Sequence, residues 1–185
     1  PLALEWLRQC PYVVCCDGAA NTYIRSGRMP EAIVGDGDSL LPGIKERYAS
    51  LIHSETEQET NDLSKAFRFC LSQERKRITI MGATGKREDH TIGNVSLLAD
   101  YMEQAEVSMM TDYGIFVPIR EDSMFESYIG QQISVFNMNS TALFAEGLAY
   151  PLSVFTNWWQ GTLNEALARH FIIRTEGKVL VFRVF

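Results

Sequence analysis

The 185-residue chain has no apolar run approaching the roughly 20 residues needed to cross a bilayer, so no membrane-spanning segment is expected. It has no block of lysine or arginine. Its 17 basic residues stand against 23 acidic ones for a net charge of -6, which argues against a nucleic-acid footprint. With so acidic a balance, any phosphate site must be built locally, from backbone N–H groups, a few cations and metal. Cysteine is scarce: Cys10, Cys15, Cys16 and Cys70 form no CxxC pair, and His53, His90 and His170 lie at no ligand spacing to them. That excludes a structural zinc site and fits reduced thiols in a cytoplasmic protein. Internal repeats and low-complexity segments are missing too.

What is present is an alternation of helix and strand. Tyr12–Cys16 is a continuous apolar run, as in a strand buried on both faces. A short helix at Ala19–Ser26, a strand at Ala32–Val34, a helix at Pro42–Ala49 and a weak strand at Leu51–His53 follow. Asn61–Gln73 carries one apolar stripe (Leu63, Ala66, Phe67, Cys70, Leu71) at helical spacing. Then come a strand at Arg77–Met81, a long helix at Glu88–Gln104 and a strand at Val107–Thr111. This rhythm predicts a mostly parallel, Rossmann-like α/β domain over residues 1–112. The chain opens on a helical segment, so a strand before it is expected. From 113 to 185 the runs are short and β-rich, with strands at Ile133–Phe136, Ala142–Ala145, Phe171–Thr175 and Val179–Phe185, which predicts an all-β sandwich domain.

Three glycine-and-acid turns follow predicted strands. They are Asp17-Gly18-Ala19-Ala20-Asn21, Gly35-Asp36-Gly37-Asp38-Ser39 and Gly82-Ala83-Thr84-Gly85-Lys86-Arg87-Glu88-Asp89-His90. In open α/β sheets the carboxyl edge of the strands is where ligands bind. Two carboxylates about 5 Å apart, as Asp36 and Asp38 could be, repel by roughly 3 kcal/mol at an effective dielectric near 20. A divalent cation reverses that sign, and oxygen-only ligands suit Mg²⁺; a plain helix-capping turn is the competing reading. Asp62 and Lys65 sit three apart at a helix start, either as a solvated pair or as a third carboxylate and a phosphate-binding cation. The third turn is no P-loop, because Ile80 stands where its first glycine belongs and Arg87 where Ser or Thr must follow the lysine. It still offers helix N–H groups and the Arg87 fork to an anion. Trp158 and Trp159, read as strand neighbours, face opposite ways, one into the core and one free to stack on an aromatic cation.

In order and spacing these clusters, with Asn61-Asp62-Leu63-Ser64-Lys65 between the second and third, resemble the thiamin pyrophosphokinase family. Gly147-Leu148-Ala149-Tyr150-Pro151-Leu152 and Gly161-Thr162-Leu163-Asn164-Glu165 look like its smaller C-terminal domain. The resemblance implies a Mg²⁺-dependent enzyme that moves pyrophosphate from ATP to the hydroxyl of thiamin, releasing AMP. It implies a homodimer with active sites shared across the interface. By the same analogy Asp36, Asp38 and Asp62 hold Mg²⁺ with Asp17 nearby. Asn21, Ser39, Lys65, Gly82, Gly85, Arg87 and Asp89 would serve the ATP phosphates, and Trp158, Trp159 and Asn164 thiamin. Lys86 and Leu163 depart from the pattern, standing where glycine and serine are common. Two rivals are a haloacid-dehalogenase-like phosphatase built on Asp36, which wants an adjacent acid pair that this chain lacks, and an inactive thiamin or nucleotide sensor.

Overall fold

The computed structural model of the chain describes residues 2–185. They form two compact units, 2–76 and 77–185.

In the first unit, helix α1 (Leu2–Gln9) precedes three parallel strands, β1 (Val14–Cys16), β2 (Ala32–Gly35) and β3 (Ile52–Ser54), hydrogen-bonded in that order. The register sets Cys15 beside Ile33 and Ile33 beside Ile52. β2 is central and buried at every residue, which is why it reads as an unbroken apolar run. On one face Cys15 and Ile33 pack against Ala20 and Tyr23 of α2 (Ala19–Arg25) and Ile44 of α3 (Pro42–Arg47). On the other, Ala32 and Val34 meet Ala66 and Phe69 of α4 (Asp62–Ser72). The start of α4 is fixed by Asn61, whose side chain accepts the Ser64 N–H at 2.9 Å. The result is a three-layer α/β unit with the ends of β1 and β2 side by side.

The second unit begins with β4 (Arg77–Met81), α5 (Glu88–Ser96), α6 (Leu98–Tyr101) and β5 (Glu106–Met110), a parallel β–α–β element. The single helix expected from Glu88 to Gln104 is broken at Leu97; Gly93, Asn94 and Ser96 are weak helix formers, and the Ser96 hydroxyl bonds back to the Gly93 carbonyl. β4 and β5 continue into an antiparallel series. It contains β6 (Gly114–Ile119), β7 (Ser123–Glu126), β8 (Gln132–Asn137), β9 (Leu143–Glu146), β10 (Asn164–Glu165), β11 (His170–Thr175) and β12 (Val179–Val184). One sheet has the order β10-β8-β12-β6-β5-β4 and the other β7-β11-β9. Ile133, Val135, Val179 and Val181 of the first face Phe125, Leu143, Phe171 and Ile173 of the second in one core, the expected sandwich.

β6 escapes the sequence pattern because Pro118 interrupts it. Pro118 is tolerated since β6 pairs with β5 only at Phe116 and Ile115, leaving the missing N–H beyond that ladder. A second correction concerns the tryptophans. Trp158–Gly161 is a 3₁₀ turn, closed by reciprocal bonds between Asn157 and Gln160, not a strand. Neither indole enters the core: Trp158 is 43% exposed and Trp159 73%. The residue buried there is Gly161, where a β-carbon would lie 1.7 Å from the Val135 carbonyl oxygen.

Candidate active site

The chemistry in the first unit gathers where β1 and β2 end. Asp17 leaves β1 in a left-handed conformation (φ 30°), uncommon for a residue with a side chain and tolerated best by Asp and Asn. Beside it, Gly35 ends β2 with φ 153°, and a β-carbon there would stand 2.8 Å from Asp17 Cβ. Only glycine lets the two turns approach this closely. Asp17, Asp36 and Asp38 consequently offer carboxylate oxygens that all lie within 4.8 Å of one another.

The three acids differ in surroundings. Asp17 is 2% exposed; its Oδ2 accepts the Ser39 N–H at 3.2 Å, but its Oδ1 is buried with no donor among the described residues. Burial raises its affinity for a proton, the Ser39 N–H opposes this, and the Asp38 carboxyl with the charges of Asp62 and Asp36 add to it. Asp36 is held below the ordinary carboxylate range, first by the Asp38 N–H and also by the amide of Gln58. Asp38 accepts the Ser39 hydroxyl at 2.9 Å.

The turn is braced from outside. Asn21 donates to the Ser39 carbonyl at 2.8 Å and accepts the Leu41 N–H at 3.0 Å. Lys45 donates to the Gly37 carbonyl at 2.8 Å. Asn21 and Ser39, expected as phosphate contacts, are thus engaged in shaping the acid turn. Asp62, expected among the metal ligands, lies outside the three-carboxylate group. Its carboxylate takes the ammonium of Lys65 at 3.2 Å, and Lys65 is only 3% exposed.

The fit to a divalent cation follows from these groups. An all-carboxylate oxygen set, mutually repelling and including one buried oxygen without a donor, lacks positive charge at its centre. Mg²⁺ is the cation such a set suits.

In the second unit, the turn after β4 places Gly82 (φ 69°) and Gly85 (φ 84°) in left-handed conformations with open space around both. Arg87 precedes α5 and pairs with Asp89, Nε to Oδ1 at 3.1 Å. Asp89 also accepts the His90 N–H, and the guanidinium keeps its carboxyl below the usual range. Both side chains are largely solvent-facing.

Elsewhere in this unit a cleft of about 360 Å³ is lined by Tyr150, Pro151, Phe155, Gln160, Leu163 and Asn164, among others. Asn164 is buried, with its amide spent on the Tyr150 backbone: Oδ1 accepts the N–H at 3.0 Å and Nδ2 donates to the carbonyl at 2.8 Å. It shapes the rim. Leu163 beside it is left-handed (φ 63°) and 76% exposed.

Two family models account for nearly the whole chain. The thiamin pyrophosphokinase catalytic domain matches residues 3–110, and the thiamin pyrophosphokinase substrate-binding domain matches residues 114–182. The chain belongs to the thiamin pyrophosphokinase family. Thiamine pyrophosphokinase 1 of Oryza sativa subsp. japonica is 30% identical over 56% of this chain and 49% of its own. Thiamin pyrophosphokinase 1 of Caenorhabditis elegans is 30% identical over 55% and 45%. The match thus spans about half the length of these curated relatives. The fold is also that of thiamine pyrophosphokinase from Bacillus subtilis (TM-score 0.81, 21% identity, 94% of this chain and 87% of that one). The yeast enzyme superposes with a TM-score of 0.77 at 16% identity, over 100% of this chain and 82% of its own. These findings do not favour the phosphatase or sensor readings.

Proposed function

We propose that this protein is a thiamin pyrophosphokinase, transferring pyrophosphate from ATP to the hydroxyl of thiamin to give thiamin diphosphate and AMP. Residues 1–112 supply the nucleotide chemistry and 113–185 hold the vitamin. The observation that carries this reading is the Asp17–Asp36–Asp38 group, with its buried, donorless oxygen, in a chain of this family.

In this reading Asp17, Asp36 and Asp38 would hold Mg²⁺, and Asp62, outside that group, is held by Lys65. The cation, when bound, offsets negative charge on the nucleotide phosphates. The chain's own part is positioning. Asn21 and Lys45 keep the acid turn closed, and the ammonium of Lys65, buried at the base of α4, brings positive charge towards the phosphates. Arg87 leaves Asp89 to grip a phosphate bidentately, and the Gly82–Gly85 turn lets its backbone approach closely. As the thiamin hydroxyl oxygen bonds to the β-phosphorus, the bond to the AMP oxygen breaks, and the hydroxyl proton passes to a nearby carboxylate. The cleft bordered by Tyr150, Phe155 and Leu163, with the exposed Trp158 and Trp159 close in sequence, supplies apolar and aromatic faces for a cationic ring. A homodimer with shared sites and a cytoplasmic location complete the reading; no helix among the described residues is long and apolar enough to cross a membrane.

Incubation with ATP, Mg²⁺ and thiamin should yield thiamin diphosphate and AMP in equal amounts. ADP with thiamin monophosphate would refute the pyrophosphoryl step.

A further inference from the structure

The geometry points to Arg68 as the positioning residue that clamps the acidic loop between β3 and α4, and so holds the segment that runs from Gly35, beside the carboxylate group, to Asp62. This rests on the cation reading of that group given above.

The loop 55–61 carries Glu55, Glu57 and Glu59 and leads into Asp62. It starts against Gly35, the residue before Asp36. Left to electrostatics alone, four acids next to three more would drive the loop outward. Its two ends are fixed, by the Glu55 N–H on the Gly35 carbonyl at 3.0 Å and by the Asn61 cap on Ser64 at 2.9 Å. Between those ends, Arg68 supplies the counter-charge. Its Nη2 reaches Glu55 at 3.2 Å, Glu57 at 3.0 Å and the Thr60 hydroxyl at 3.1 Å. Glu57 then closes on Thr60, accepting its N–H at 2.6 Å and its hydroxyl at 2.7 Å. One guanidinium on α4 therefore gathers the start, middle and end of the loop.

A surface ion pair in isolation contributes little. This one differs because the same nitrogens serve several acceptors, and because the segment they fix is hydrogen-bonded to Gly35, the residue before Asp36. The planar fork matters: Nη1 and Nη2 both reach the Thr60 hydroxyl while Nη2 also reaches the two glutamates, and a lysine offers its charge from a single nitrogen.

The test uses the full chain, with Mn²⁺ as the probe, and follows both its affinity and amide exchange across residues 55–61. Asp38→Asn first locates the Mn²⁺ by abolishing its uptake. Arg68→Met should then weaken Mn²⁺ about tenfold, the scale of two lost charge-assisted hydrogen bonds. It should also speed exchange across 55–61 while leaving β1 and β2 protected. Arg68→Lys should recover only part of the affinity. Arg77→Met, which removes a more exposed arginine from an ion pair with Glu106, should leave Mn²⁺ affinity unchanged. Thr60→Val, which removes the hydroxyl shared by Arg68 and Glu57, should loosen the loop similarly and serves if Arg68→Met does not fold. Mn²⁺ affinity within twofold of wild type in Arg68→Met or Thr60→Val, or an equal loss in Arg77→Met, overturns the clamp. A wild-type chain that takes up no Mn²⁺ overturns the cation reading and this inference together, whereas uptake that Asp38→Asn abolishes leaves Arg68 alone at stake.

Discussion

The turn Gly35–Ser39 and the turn Gly82–Arg87 look alike on paper, each a glycine-rich loop leaving a parallel strand, yet the fold treats them in opposite ways. The first is acidic, braced by Asn21 and Lys45 and set against the buried Asp17. The second is basic and open: nothing lies within contact of a β-carbon at Gly82 or Gly85, and Arg87 is engaged with Asp89 in solvent. Carboxylates that must converge on a small cation need their geometry fixed beforehand, because like charges otherwise part. An arginine that grips a large flexible phosphate does not. On the proposed function, the first turn would be the rigid site and the second the adaptable one.

The comparison is broken most severely by Asp38→Asn. It removes one charge from the three-carboxylate group without changing shape, so thiamin diphosphate formation should fall by on the order of a thousandfold or more while far-UV circular dichroism and Tm stay near wild type. Near-normal turnover would take Asp38 out of the site. A smaller effect separates the two turns. Arg87→Ala should reduce activity by about tenfold to a hundredfold with no change in Tm, since both members of its ion pair are exposed. Asn21→Ala should reduce activity by about tenfold and also destabilise the fold by about 1–2 kcal/mol, because it leaves the Ser39 carbonyl and the Leu41 N–H without their partners. Denaturant melts and steady-state rates on both variants decide the matter. Equal Tm losses, or none in either, would erase the distinction between a braced and an open turn.

The parts of this arrangement that were legible in the sequence are those with local causes. The apolar run ending at Cys16, the glycines around Asp36 and Asp38, and the stripe on α4 each declare their structure through neighbours in sequence. The failures are long-range. That Asp17 joins Asp36 and Asp38 ahead of Asp62 depends on the register of β1 against β2 and on the missing β-carbon at Gly35, neither of which is a local signal. The Asp62–Lys65 pair, by contrast, is local and was one of the two readings that its i,i+3 spacing offered. The tryptophan pair defied a strand reading because Asn157 and Gln160 close a 3₁₀ turn around it, an arrangement visible as a capping pattern only once the turn is suspected.

The smallest expected effect tests the cost of the rigid site. Burial, together with the neighbouring carboxyls, raises the pKa of Asp17 in the folded chain above its unfolded value. A carboxyl raised in this way favours folding most below the ordinary carboxylate range, and that contribution is lost as pH climbs through the folded value. At neutral pH, without divalent cations, ionised Asp17 therefore weakens the fold. Asp17→Asn removes the charge, retains an oxygen for the Ser39 N–H, and suits the left-handed backbone at this position. It should raise Tm by a few degrees at pH 7, and the gain should shrink on acidification as the wild-type carboxyl takes up its proton. Millimolar Mg²⁺ should narrow the gap from the other side, by stabilising wild type and not the variant. If Asp17→Asn instead melts lower at pH 7 in EDTA, the buried acid is satisfied by the protein alone. The donorless Oδ1 would then no longer mark a place built to receive a cation.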